Sequence, residues 1–206
     1  MVPGKGGSLV AIKLLCGLDE AGRGPLAGPV VAAAVILPAD FPVEILGDSK
    51  KLSLKKRLAA RQVILERSCW GMGIVDHTTI DEINILQASL LAMEQGFFQM
   101  REKLDEFLCR EFGNDLEFQL EAMADGTFVS KIPVVCRAQP KADDTFPEVM
   151  AASILAKTQR DMIMDEYAQL YPEYGYEKHK GYPTKAHREV CRQLGPSPIQ
   201  RMSFKY

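Results

Sequence analysis

Two apolar runs flank a glycine- and proline-rich turn in residues 14–37, LLCGLDEAGRGPLAGPVVAAAVIL. The first run, residues 14–19, ends in an acid, and the second, residues 30–37, is rich in β-branched residues, so both are predicted to be strands. The turn between them is too short for a helical crossover. Because further strands and helices are interspersed along the chain, we predict one α/β domain with a central mixed sheet.

Outward from this stretch, further strands are predicted at residues 71–75, 116–125 and 134–137. The helical patterns begin at a capping residue or at proline: residues 54–67 after Ser53, a long helix capped by Thr79, residues 147–170 from Pro147, and a last helix after Thr184 that stops at Gly195. Acidic residues 101–117 are predicted to form a loop. The prediction is a single domain over residues 1–206, with a C-terminal helical extension from about residue 171.

Composition indicates an ordinary soluble globular protein, with 206 residues of which 47% are apolar and 25% charged. The longest apolar run falls far short of the ~20 residues of a membrane-spanning helix. Residues 1–10 lack the apolar region of a secretory signal, so we expect a cytoplasmic protein. The cysteines have no metal-binding spacing and are expected to be free and mostly buried thiols: Cys16, Cys69, Cys109, Cys136 and Cys191.

The charge of the chain is unevenly distributed. The net charge of −2 and the pI near 6.0 would by themselves argue against a nucleic-acid partner. However, residues 50–67 carry seven basic residues against Glu66, and residues 178–206 carry seven against Glu189. Each stretch is therefore +6, in a chain that is otherwise acidic. Two solvated helix faces would explain the same pattern.

Several acids lie at predicted element ends. Asp19 and Glu20 end the first strand, Asp125 ends another before a glycine, and Asp143 precedes a helix. Such carboxylates repel one another unless they are protonated or hold cations, and oxygen-only ligands suit Mg²⁺. A helix cap or turn is the alternative for any single acid. The pattern leaves that alternative open for Asp48, Asp144, Asp161 and Glu148.

The turn after the acid pair has residues suited to a nucleic acid. Glycines at Gly22 and Gly24, around Arg23, let the backbone approach a sugar edge, which is one way to sense a 2′-hydroxyl. The hydroxyl of Ser49 and the cations Lys50 and Lys51 suit phosphates, and Tyr182 can stack on a sugar or base. A packed tyrosine is the alternative for Tyr182.

Other catalytic classes lack their signatures. The sequence contains no G-x-S-x-G and no P-loop motif, which excludes the common serine hydrolases and P-loop nucleotidases. His179 and His187 are eight residues apart, a poor metal spacing, and are expected to be surface or capping residues.

Read together, these segments resemble the type 2 ribonucleases H (ribonuclease HII). The resemblance covers about residues 14–204 in family order. Its segments are GLDEAGRGP at 17–25, DSKKLS at 48–53, INILQA at 83–88, Asp125-Gly126, KAD at 141–143, AASILAK at 151–157, Arg160-Asp161 and HKGYPT at 179–184. The type 3 enzymes have a lysine in the glycine turn, where this chain has Arg23.

The resemblance implies an RNase H-like fold and an endonuclease that cleaves the RNA strand of RNA–DNA hybrids. It also implies incision 5′ of single ribonucleotides in duplex DNA, with 3′-hydroxyl and 5′-phosphate ends, and a monomeric protein. We hypothesise hydrolysis with two divalent ions, Mg²⁺ or Mn²⁺. A DNA nuclease on the same fold and a non-catalytic hybrid-binding module are the alternatives.

The resemblance also assigns roles to individual residues. The metal ligands are Asp19, Glu20, Asp125 and Asp143, with Asp144 the alternative for the last position. Residues Gly22, Arg23 and Gly24 read the 2′-hydroxyl, Tyr182 stacks at the RNA-to-DNA junction, and Ser49, Lys50 and Lys51 hold phosphates. Residues 200–204, QRMSF, resemble a sliding-clamp-binding peptide weakly, and a segment that closes the helical extension is the preferred interpretation.

Overall fold

A five-stranded mixed sheet lies at the centre of the computed structural model, which describes residues 12–47, 49, 52–114 and 117–205. The strands are β1 (Ile12–Ala21), β2 (Val30–Ile36), β3 (Cys69–Val75), β4 (Phe118–Asp125) and β5 (Val135–Gln139). Their spatial order is β3-β2-β1-β4-β5. Strands β1, β2 and β3 pair antiparallel, whereas β4 and β5 continue the sheet parallel to β1. The predicted mixed sheet is confirmed.

Six helices of the described residues surround the sheet: α1 (Leu54–Arg67), α2 (His77–Glu102), α3 (Leu104–Phe112), α4 (Pro147–Leu170), α5 (Tyr176–His179) and α6 (Lys185–Leu194). The predicted bounds of α1 and α4 are confirmed. The predicted caps of α1 and α6 are confirmed too, because Ser53 and Thr184 accept hydrogen bonds from the backbone three residues on.

The predicted start of α2 was wrong. Asp76 caps this helix, and its side chain accepts a hydrogen bond of 2.8 Å from the backbone N–H of Thr79. The carboxylate of Asp76 lies before three residues that already have helical geometry, so the hydroxyl of Thr79 is not needed as a cap. Within α2, Asn84 has a φ of 67° and divides the helix into two parts.

The predicted loop at residues 101–117 was also wrong, since it contains α3. Leu104, Phe107 and Leu108 recur at helical spacing and are buried against the sheet. The acidic residues that suggested a loop, such as Asp105 and Glu106, lie in the first turn of α3, where the helix dipole favours negative charge.

The apolar run of β2 is buried because helices cover both faces of the sheet. Alternate residues such as Ala32 and Ala34 pack under α2, and Ala33 and Val35 pack under α1 and α4. At Gly17, a methyl group would lie 2.2 Å from the carbonyl carbon of Glu148. Strand β1 therefore lies directly against the first turn of α4, and this contact brings the end of β1 close to the segment before α4.

The region after α4 consists of a short turn at Pro172–Tyr174, α5, α6 and the C-terminal segment. The prediction that His179 and His187 are surface or capping residues was wrong, because both rings are buried and stacked at 4.4 Å. All five cysteines are free thiols, as predicted, although Cys109 is exposed. No helix in the described part of the chain is long and apolar enough to cross a membrane.

Candidate active site

Three carboxylates meet at one edge of the sheet. Asp19 is near the end of β1 and Asp125 ends β4, and because these strands are parallel neighbours their carboxyl ends lie side by side. Asp143 belongs to a short helical turn, Ala142–Asp144, just before α4. Each of the three acids places one carboxylate oxygen within 4.8 Å of the others.

The turn that carries Asp143 is attached to the end of β4. The backbone N–H of Ala142 donates a hydrogen bond of 2.9 Å to Oδ1 of Asp125. Lys141, which precedes the turn, has a φ of 62°, and this left-handed conformation redirects the chain from β5 towards α4. Asp125 thereby fixes the position of its neighbour in the cluster.

Glu20 lies beside this cluster and is not part of the group of three. Its backbone N–H donates a hydrogen bond of 2.7 Å to Oδ1 of Asp19, and its carboxylate accepts one of 3.4 Å from Arg23. The side chain lines the same cleft as Asp19 and Asp125. The structure therefore brings three of the four predicted ligands together and places the fourth on the adjoining wall.

Burial makes this negative charge unfavourable. Burial, chiefly, and the charges of Glu20 and Asp125 hold the pKa of Asp19 well above its usual range, against an opposing hydrogen bond from Ser153. Burial also raises the pKa of Glu20, and Arg23 opposes that rise. A divalent cation at this position would offset the repulsion, and the all-oxygen donor set fits a hard ion such as Mg²⁺ or Mn²⁺.

An open cleft of about 730 Å³ lies over the acids. The described residues predicted to bind substrate all line it: Gly22, Arg23, Gly24, Ser49 and Tyr182. The ring of Tyr182 is 40% exposed, and a methyl group on Gly24 would lie 3.7 Å from it. The glycine turn and the tyrosine thus form adjacent parts of one wall.

Of the residues predicted to hold phosphates, one is buried and two lie outside the described residues. Ser49 is buried, and its hydroxyl is hydrogen-bonded to that of Ser153 at 2.9 Å. Lys50 and Lys51, together with Asp48, lie outside the described residues. The geometry of the cleft therefore bears directly on Ser49 alone among the residues predicted to hold phosphates.

The acids that the sequence left open and the structure describes, Asp144, Asp161 and Glu148, are not in the cluster. Asp144 is exposed and points to no member of the group of three. Asp161 accepts hydrogen bonds from Lys157 at 2.7 Å and from Arg57 at 3.5 Å. Burial raises the pKa of Glu148, which lies beside β1 in the first turn of α4.

Sequence reasoning assigned no role to several polar residues of the cleft. Ser153 and Lys157, on α4, and Arg57, on α1, line the cleft with the residues above. A signal for the α4 residues was present, because Ser153, Lys157 and Asp161 recur every four residues on one helix face. The position of Arg57 depends on how α1 packs against α4, which has no local sequence signature.

Comparison with known proteins identifies the family. The model of the family described as ribonuclease HII matches residues 16–206. The chain belongs to the ribonuclease HII family. A ribonuclease HII from Treponema denticola is 54% identical over 195 residues, which cover 93% of this chain and 98% of that protein. The prediction that the chain is an enzyme, a ribonuclease of this type, is confirmed.

Solved structures agree with this assignment to the ribonuclease HII family. Ribonuclease H2 from Pyrococcus horikoshii has 25% identity and a TM-score of 0.66, with 93% of this chain and 94% of that chain covered. The ribonuclease HII of Archaeoglobus fulgidus, solved in complex with PCNA, has 24% identity and the same TM-score, with 94% and 96% covered. The predicted RNase H-like fold is confirmed.

Proposed function

We propose that this ribonuclease HII cleaves the RNA strand of RNA–DNA hybrids and incises duplex DNA on the 5′ side of single ribonucleotides. The products would be 3′-hydroxyl and 5′-phosphate ends. The observation that carries the proposal is the cluster of Asp19, Asp125 and Asp143, of which Asp19 and Asp125 line a cleft together with the glycine turn. The cleft is open, which suits a duplex better than an enclosed pocket for a small molecule.

The acids would hold two divalent ions, Mg²⁺ or Mn²⁺, with Glu20 as the fourth ligand beside the group of three. Such ions, when bound, supply a nucleophilic water at neutral pH and stabilise the leaving oxygen. The carboxylates need not act as general bases, since their part is to fix the ions. The hydrogen bond from Ala142 leaves the second oxygen of Asp125 available for this role.

The residues around the acids would select and orient the substrate. The backbone of Gly22–Gly24 would read the 2′-hydroxyl, and the exposed ring of Tyr182 would stack at the RNA-to-DNA junction. Lys50 and Lys51 would hold phosphates. Ser49 would contribute through its hydroxyl, which is hydrogen-bonded to the hydroxyl of Ser153.

For residues 200–204, we propose that the segment closes the C-terminal helical extension and does not bind a sliding clamp. Gln200 and Arg201 are buried, and the backbone N–H groups of Met202 and Ser203 donate to Asp81 on α2 at 2.7 and 2.9 Å. A clamp-binding peptide would have to leave these contacts. A peptide of residues 196–206 should therefore not bind a sliding clamp, and binding would reverse this preference.

The test is an incision assay on a DNA duplex with one embedded ribonucleotide, in the presence of Mg²⁺ or Mn²⁺. Cleavage on the 5′ side of the ribonucleotide is expected, with none of an all-DNA duplex of the same sequence. Cleavage of both duplexes would indicate a DNA nuclease. Binding of the duplex without cleavage in either metal would indicate a non-catalytic module.

A matched variant tests the site itself. Asp125→Asn should lower turnover by orders of magnitude and leave duplex binding largely intact, because it removes a ligand charge and not a substrate contact. Near-normal turnover in that variant would refute the assignment of Asp125.

A further inference from the structure

The turn between β1 and β2 is held from its buried side by an arginine near the C-terminus. Arg201 is fully buried, and its guanidinium donates to five backbone carbonyls of residues 22–29. The acceptors are the carbonyl oxygens of Gly22 at 2.7 Å, Arg23 at 3.3 Å, Pro25 at 2.8 Å, Gly28 at 2.9 Å and Pro29 at 3.0 Å. The five donors of the planar guanidinium make such a fan of bonds possible, and a lysine has no equivalent geometry.

A second buried arginine, Arg160 of α4, supports the later part of the same turn. Its guanidinium donates to the carbonyls of Pro29 at 2.9 Å, Ala27 at 3.2 Å and Lys180 at 3.0 Å. Unlike Arg201, it binds neither Gly22 nor Arg23. The two arginines share the carbonyl of Pro29, and of the two only Arg201 donates to Gly22 and Arg23, although the side chain of Arg160 packs against Gly22.

Neither arginine has a carboxylate partner among the ion pairs of the described residues. Burial lowers the pKa of Arg160 to about 10, and burial, with the nearby charge of Arg160, lowers that of Arg201 to about 9. Two buried cations without a carboxylate partner are unfavourable for stability, and their eight hydrogen bonds to backbone carbonyls offset that cost. The arginines therefore hold these carbonyls in fixed directions.

The carbonyl contacts determine where the opposite edges of the peptide groups point. In a trans peptide the C=O of one residue and the N–H of the next point in opposite directions. Because the carbonyls of Gly22 and Arg23 point to Arg201, the N–H groups of Arg23 and Gly24 point away from it. Within the described part of the chain, these two N–H groups have no hydrogen-bond partner, and both residues line the cleft.

We propose that Arg201 is the positioning residue for ribonucleotide selection, because it turns the backbone N–H groups of Arg23 and Gly24 towards the sugar of the bound strand. The inference rests on the proposed function. It adds that the selectivity of the glycine turn depends on a residue at the other end of the chain. The tail contacts at Asp81 then keep Arg201 in place.

The experiment measures the preference for a ribonucleotide separately from turnover. In an Asp125→Asn background with Mg²⁺, the affinity for a duplex with one ribonucleotide is divided by the affinity for the same all-DNA duplex. Arg201→Lys should lower this ratio about tenfold, the effect of one or two net hydrogen bonds, and leave the affinity for all-DNA duplex unchanged. A merely structural role would weaken both affinities together.

Two controls make the result specific. Arg160→Lys changes an equally buried arginine that packs against Gly22 but donates no hydrogen bond to Gly22 or Arg23, so its ratio should fall much less than that of Arg201→Lys. Arg110→Lys changes an exposed arginine of α3 and should leave the ratio unchanged. Equal effects of the Arg201 and Arg160 variants would overturn the proposal.

A second variant covers the case in which Arg201→Lys does not fold. Asp81→Ala removes the acceptor of the tail N–H groups and leaves every cleft residue unchanged, and it should lower the same ratio to a smaller extent. An unchanged ratio would overturn the proposal.

The Asp125→Asn protein separates the two proposals. If it shows no preference for the ribonucleotide, the proposed function has failed. If it shows the preference and Arg201→Lys retains that preference, only this inference has failed.

Discussion

At the scale of single residues, the acids of this ribonuclease HII are distinguished by position and not by type. Asp143 and Asp144 are adjacent in the sequence, yet only Asp143 places an oxygen within 4.8 Å of Asp19 and Asp125. Both residues belong to the short helical turn before α4, and Asp144 is exposed. Two neighbouring aspartates are therefore expected to differ sharply in function.

This difference is directly measurable. Asp143→Asn should lower turnover on a duplex with one ribonucleotide by orders of magnitude, because the site would lose a ligand charge. Asp144→Asn should leave turnover within a few-fold of the original value. The pair is matched in chemistry and in sequence position, so the reverse result would assign the ligand to Asp144.

Asp19 is expected to destabilise the protein when no metal is bound. Its pKa is raised chiefly by burial, so folding disfavours the carboxylate, and stability is lost as the pH rises above the ordinary range of aspartate. Asp19→Asn should therefore have a higher Tm than the original protein at pH 8 in a chelator. Excess Mg²⁺ should raise the Tm of the original protein more than that of the variant. A lower Tm for the variant in the chelator would contradict this reasoning.

At the scale of elements, the sequence was most informative where caps and periodicity agree. Helices α1 and α4 have their predicted bounds, since Ser53 caps the first and Pro147 begins the second. The start of α2 and all of α3 were missed. In both cases acidic residues have a local role in a helix: Asp76 caps α2, and Asp105 and Glu106 lie in the first turn of α3. Acidic composition alone does not distinguish these roles from a loop.

The turn and helices that follow α4 contain a second feature that only packing reveals. His179 accepts a hydrogen bond from the N–H of Gly181 at 3.2 Å, and Nδ1 of His187 lies 3.0 Å from the carbonyl oxygen of Tyr182. The two histidines thus fix the backbone on both sides of the tyrosine that lines the cleft. Burial, chiefly, lowers the pKa of each histidine, so both are neutral at pH 7.

These histidines predict a dependence of stability on pH. A histidine pKa that is lower in the folded state gives stability that is complete above about 6.5, the unfolded value, and is lost as the pH falls below it. The contribution of these histidines to the free energy of unfolding should therefore fall between pH 7.5 and pH 5, against the opposite contribution of Asp19. Denaturation of His187→Gln should show a smaller fall over this range, and His77→Gln should show the original one. An unchanged fall in His187→Gln would exclude His187 as a source.

At the scale of the whole molecule, the basic stretches are only partly available to a substrate. In the first stretch, Arg57 and Arg61 bind residues of α4. In the second, Arg201 is buried and Lys180 pairs with Asp165. Exposed cations of both stretches include Lys55, Lys56, Lys185 and Arg188.

Duplex binding should nevertheless depend on salt, despite the net charge of −2. If each of these four cations contacts one phosphate, in addition to the two contacts proposed for Lys50 and Lys51, the slope of log K against log salt should be about −5. Changing Lys55 and Lys56 to Gln should make the slope less steep by about 2. The same change at Lys13 and Arg110, exposed and outside both stretches, should leave it unchanged. A flat salt dependence in the original protein would exclude this mode of binding.

The sequence by itself determined the order and type of most elements and the mixed sheet. These follow from local rules, because caps, periodicity and short turns act between residues that are close in the chain. The family segments also placed four acids at element ends, although their spacing in the sequence does not show which of their carboxylate oxygens lie close together.

Only the tertiary structure decided how distant residues combine. The cluster joins Asp19, Asp125 and Asp143 because β1 and β4 are parallel neighbours and the turn before α4 is attached to β4. Arg201 supports the turn at residues 22–29 through backbone carbonyls, which every residue has. Contacts of this kind leave no pattern in side-chain types, so the sequence alone could not reveal them.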